Sequence, residues 1–140
     1  MKSRSHGDFV VLKLEDGENF FGALGRACEE NGVKSGAILN GIGMLRNFTL
    51  GYFPGEGPYD ETVFDDPHEM TSMQGNIGMS AGEMVFHVHV NVADRQKNVH
   101  GGHLISGDVC VVNEITILKL DGIEIRRQKS PVTGLLEMKI

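Results

Sequence analysis

The segment Phe86-His87-Val88-His89-Val90 constrains this chain more than any other, because apolar and imidazole side chains alternate along it with a period of two. That period belongs to an extended strand, whose successive side chains point to opposite faces. His87 and His89 therefore share one face, about 7 Å apart along the strand, and Phe86, Val88 and Val90 share the other. The polar run Asp94-Arg95-Gln96-Lys97-Asn98 predicts a turn, so the chain folds back as a hairpin and lays His100 to Ser106 beside the first strand. Pairing residues whose numbers sum to 192 sets His103 opposite His89 and on its face. His100 and His103 are three apart, which sends them to opposite faces of a regular strand, and His103 is the one that joins the set.

Three neutral imidazoles from two neighbouring strands suit Zn2+ or another divalent transition metal, with one coordination position left for water or a small-molecule ligand. His87, His89 and His103 are accordingly the expected metal ligands. The Gly101-Gly102 pair could host a bulge that changes the face presented.

The rest of the chain reads as α+β: a bent, mostly antiparallel sheet with one main packed helix. Phe9 to Leu14 forms a first strand, closed by Glu15-Asp16-Gly17. Between Glu18 and Asn31 the period changes, with Phe20, Phe21, Leu24, Ala27 and Cys28 at helical spacing and Gly32 as the stop. Short apolar segments then follow, broken by Gly, Pro, Asn and Asp: Ala37 to Ile42, Leu45 to Phe53, Thr62 to Phe64, Glu69 to Gly75, Val85 to Val92, Val109 to Leu120 and Ile123 to Arg127. Many strands and one helix are the basis of the α+β reading. Residues 1–140 are read as a single domain, since that length buries enough surface for one core and no linker interrupts it. Cys28 and Cys110 lie in apolar patterns without CxxC spacing, as reduced core residues would. No apolar run of about 18 residues and no export signal is visible, so a cytoplasmic protein with no membrane span is expected.

The segment Phe86 to Gly107 (FHVHVNVADRQKNVHGGHLISG) resembles the plants-and-prokaryotes conserved (PPC) domain, in which an HxH strand runs through an alanine-aspartate turn into GGHLxxG. The resemblance extends to Gly41-Ile42-Gly43-Met44-Leu45 with Phe48 to Tyr52, to His68 to Gly75, and to the opening strand and helix; it is weakest after about Leu120. It implies one helix on a strongly bent antiparallel sheet, a homotrimer, and a metal on the histidines matching His87, His89 and His103. Plant members carry AT-hook segments and prokaryotic members a DNA-binding description, whereas this chain has no Arg-Gly-Arg-Pro hook.

Several further residues are candidates for the site. Glu114 sits in the apolar run Val109 to Leu118, where it is read as a metal neighbour or proton carrier, or else as a solvent-facing or interface carboxylate. His100 is expected beside a turn, His6 and His68 in surface loops, Arg4 on a flexible start and Asn40 at a strand end. No Walker sequence, third glycine of a dinucleotide loop or GxSxG elbow is present, which excludes those chemistries. Three readings stay open: a zinc-dependent enzyme, a ligand-binding module, and a DNA-associated regulatory platform. With 13 basic against 19 acidic residues the chain carries −6, and a trimer would carry three times that, −18. Direct nucleic-acid binding is therefore not expected, and a basic face would have to be assembled from Arg4, Arg46, Arg126 and Arg127.

Overall fold

A change of period in the sequence marks the helix. In the computed structural model, which describes residues 1–140, α1 spans Phe20–Glu30. The Asn19 side chain caps its start by accepting a hydrogen bond from the Gly22 amide at 2.9 Å. Phe20, Ala23, Leu24, Ala27 and Cys28 form its buried face. Fully burying a side chain such as Phe20 or Leu24 contributes about 1.5–3 kcal/mol, so this stripe, rather than helix propensity, holds the helix against the sheet.

The strands are β1 (Lys2–His6), β2 (Phe9–Glu15), β3 (Gly36–Tyr52), β4 (Asp60–Phe64), β5 (His68–Ser80), β6 (Glu83–Ala93), β7 (Val99–Lys119), β8 (Arg126–Lys129) and β9 (Leu136–Lys139). All belong to one sheet, and its pairings are antiparallel except for the contact of β5 with β8. β3 pairs with β5 and β7, and β6 also pairs with both, so these four strands close into a ring. Closure needs long strands that bend. The segments read separately as Ala37 to Ile42 and Leu45 to Phe53 are one strand, β3, and the two apolar parts of β7 are likewise continuous. Register shifts in the β3–β7 ladder supply the bends. At one of them Gly43 has φ +135°, and a Cβ there would lie 2.0 Å from the Val112 carbonyl oxygen, so only glycine fits.

Three further elements differ from the sequence reading. The opening residues are not a flexible start: Arg4 and His6 lie on β1, opposite Val11 and Phe9. His68 is not on a surface loop but starts β5 and is 7% exposed, packed edge-on against Phe48 and Phe64. Its ring provides an aromatic wall, which polar loop flanks do not announce. β9 was not read from the sequence at all; it pairs only with β8.

The turn between β5 and β6 is a two-residue connection, with Ala81 at φ 51° and Gly82 at φ 88°, the positive pair of a tight hairpin. The turn between β6 and β7 is closed by Asp94, whose backbone oxygen and carboxylate accept from Lys97 and Asn98. This turn sets the register on which the site depends.

Candidate metal centre

β6 carries two environments on its two faces. Val88 and Val90 are buried in the core, and Phe86 stacks on Phe21 of α1 at 5.8 Å. His87 and His89 point the other way, half-buried and exposed respectively. The core contacts of the valines thus fix which face the imidazoles occupy. β7 lies alongside with His89 opposite His103, Val90 opposite Gly102 and Val92 opposite His100; no bulge at Gly101-Gly102 interrupts this register.

The three rings converge. Their ligand nitrogens all lie within 4.8 Å of one another, and the ring centroids are 5.1–5.5 Å apart. His87 Nε2 and His89 Nε2 are 3.2 Å apart, close to the roughly 3.3 Å that two nitrogens subtend in a tetrahedral zinc shell. The Nδ1 of His103 is buried and meets no hydrogen-bond partner, so that nitrogen is not committed to a hydrogen bond within the chain. His100 lies apart from this cluster, beside Phe64 and His68.

Burial, more than any neighbour, lowers the pKa of His103 to about 4, and His87, His89 and Arg127 push in the same direction. Burial, then Arg127 and His89, lowers that of His87. Neutral imidazole is the form that binds a transition metal, so the surroundings favour the ligating state. The donor set and its spacing suit a divalent ion on His87, His89 and His103, and the lowered pKa values of His87 and His103 favour the form that binds it.

Two side chains at the site are not evident in the sequence as site residues. Tyr59 stacks on His103 with centroids 5.0 Å apart and planes at 14°. Its ring occupies space that Gly51 leaves free, since a Cβ on Gly51 would come within 2.9 Å of it. Arg127 is 7% exposed, with Nη2 hydrogen-bonded to Asn76 Oδ1 and 3.2 Å from His87 Nδ1. Arginine only donates, so His87 Nδ1 accepts and the Nε2 proton of the neutral ring points at His89. An ion on Nε2 would require the proton of the neutral ring on Nδ1, and Asn76 would remain as the acceptor for Arg127. Tyr59 follows a glycine-proline loop, which gives no hint of the stacking. Arg127 left a fainter signal: it shares strand parity with Ile125, which is buried.

Other candidates lie elsewhere. Glu114 is exposed on β7, opposite Lys13 of β2 and Ile42 of β3, in a groove that includes Arg4 and Asn40 but none of the three histidines. The structure therefore does not bring it to them. The four arginines considered for a basic face are dispersed as well: Arg46 pairs with Asp16, Arg126 pairs with Glu124, and Arg127 is buried. Cys28 and Cys110 are buried free thiols. No helix is long and apolar enough to cross a membrane.

Known proteins share this architecture. A metal-containing protein from Archaeoglobus fulgidus is 29% identical, with 96% of this chain and 94% of that one covered and a TM-score of 0.87. A plant- and prokaryote-conserved protein from Pyrococcus horikoshii is 32% identical, with coverage of 97% and 96% and a TM-score of 0.86. A candidate DNA-binding protein from Bacteroides thetaiotaomicron is 25% identical, with coverage of 99% and 96% and a TM-score of 0.87. Among curated proteins, the bifunctional protein GlmU of Synechococcus sp. strain JA-3-3Ab is 29% identical over 132 residues, which are 92% of this chain. The chain spans only 20% of that relative's length. Residues 1–121 match the Plants and Prokaryotes Conserved (PCC) domain, and with the fold and the HxH hairpin in agreement, the chain belongs to that family.

Proposed function

We propose that this protein binds zinc, or another divalent transition metal, on His87, His89 and His103, and presents the open coordination position to water or a small molecule. The observation that carries this reading is the convergence of three imidazoles, from two strands whose register the core fixes, in surroundings that keep His87 and His103 neutral. The description of the Archaeoglobus relative as metal-containing supports it. Bound there, the ion would supply Lewis-acid character; the chain itself contributes Tyr59 against His103 and Arg127 against His87.

The functional unit in this reading is a cytoplasmic homotrimer. Phe9, Val11 and Ile42 are large apolar side chains, all more than half exposed, along one groove formed by β1, β2, β3 and β7, the kind of patch that another subunit covers. Light scattering is expected to give three chains, and a monomer at micromolar concentration would contradict the assembly. A second reading, supported by the description of the Bacteroides relative, has the assembly meet DNA through a partner protein. Anisotropy titration of this chain alone with duplex DNA should show no salt-sensitive binding.

Calorimetric titration of the metal-stripped protein with zinc tests the main proposal. One site per chain in the native protein, lost in His89→Ala, is expected. Absence of binding by the native protein would refute it.

A further inference from the structure

Next to the histidines, the β8–β9 hairpin walls a cavity of about 600 Å³ that also includes His87 and His103. The hairpin lies beyond residue 121, outside the part of the chain that matches the family. Its central polar group belongs to Arg127, a residue only 7% exposed. Burying a charge is costly unless an opposite charge accompanies it, yet Arg127 forms no ion pair: the salt bridges of this chain involve Met1, Lys2, Arg26, Arg46 and Arg126. Its neighbours are the neutral acceptors Asn76 Oδ1 and Leu136 O and the ring of His87, and its Nε has no partner.

Resting on the metal reading above, we propose that this cavity binds a small organic carboxylate, with the carboxylate group compensating Arg127 and the body of the molecule beside the metal position. The walls select that class. Val85, Leu135 and Met138 make much of the lining apolar, which suits a carbon skeleton better than a bare inorganic anion. Glu137 also lines the cavity, held by the Thr133 hydroxyl at 2.7 Å, and its carboxylate disfavours a second negative charge on the occupant. The placement of Arg127 adds a link to the ion. Were His87 to hold a metal through Nε2, the proton of its neutral ring would lie on Nδ1, which could then no longer accept from Arg127, and one guanidinium N–H would be left for an anion.

The test is calorimetric titration of the zinc-loaded full chain with a panel of monocarboxylates running from acetate to benzoate and phenylacetate. Benzamide serves as the uncharged match to benzoate, and inorganic phosphate as the bare anion; zinc content is measured on the same samples. Saturable binding of at least one aromatic carboxylate is expected, with benzamide and phosphate roughly tenfold weaker or more, the range of a charge-assisted hydrogen bond. Arg127→Gln should lose that preference while retaining zinc, and Leu135→Trp, which fills the cavity and leaves the histidines and Arg127 in place, should lose carboxylate binding as well. Failure of every carboxylate to bind at millimolar concentration, or equal binding of benzoate and benzamide, would overturn the proposal. Loss of zinc together with carboxylate in Arg127→Gln, with Leu135→Trp still binding, would assign Arg127 to the metal centre alone. A native chain that takes up no zinc would refute the metal reading, and the same titration on the metal-free chain would then decide for or against the carboxylate.

Discussion

The two ends of β7 each carry a polar side chain that stands out in the sequence, and they have opposite fates. At one end His103 meets His87 and His89 across a register held by buried valines. At the other, Glu114 points to solvent opposite Lys13 and Ile42 and joins no cluster of three ligand-type residues. An unusual residue in an apolar strand is thus weak evidence of a site by itself. Convergence requires a partner strand whose pairing is determined independently, and only the histidine end has the short hairpin turn that determines it.

The sharpest way to break this comparison is to exchange the two residues' importance. His103→Ala should weaken zinc binding by more than about a hundredfold, beyond what losing a neighbour that merely orients a ligand costs, whereas Glu114→Gln should leave it unchanged; competition against a chromogenic chelator reads both. Zinc loss in Glu114→Gln would place the carboxylate back at the metal.

The Glu114 end should instead be sensitive in its backbone. Gly43→Ala forces a side chain into a conformation reserved for glycine and against the Val112 carbonyl, at a cost of about 2–4 kcal/mol measured by urea unfolding. Zinc bound per folded chain should not change. If Gly43→Ala were as stable as the native protein, the bulge would not be holding β3 on β7.

Acid should act on the histidine end, and with smaller effect. Folding lowers the pKa of His103 from its ordinary 6.5 to about 4, so between those values the unfolded chain binds the proton and the folded chain does not. Stability of the metal-free protein should therefore fall as pH drops through that window and level off below it. Replacing His103 with Gln should flatten the slope, and an unaltered slope would show that His103 is not held neutral by the fold. Proton competition with zinc at His87 and His103 correspondingly begins below pH 6.5.

What the sequence revealed follows the same division. The α1 stripe, the HxH face and the pairing of His89 with His103 were legible because each rests on local periodicity plus one turn. The continuity of β3 and β7 was not, because glycines that interrupt a segment in sequence act in the structure as bulges within one bent strand. Arg127, Tyr59 and the burial of His68 were hidden for a different reason: each depends on a long-range contact, with His87, His103 and Phe48 respectively, that no spacing encodes.

The most direct measurement of the central claim is elemental analysis of the protein purified without added metal, beside a variant in which His87, His89 and His103 are all alanine. About one divalent transition-metal ion per chain in the native protein, and none in the folded variant, is the predicted result. A folded native protein without metal, or a variant that keeps its ion, would contradict it.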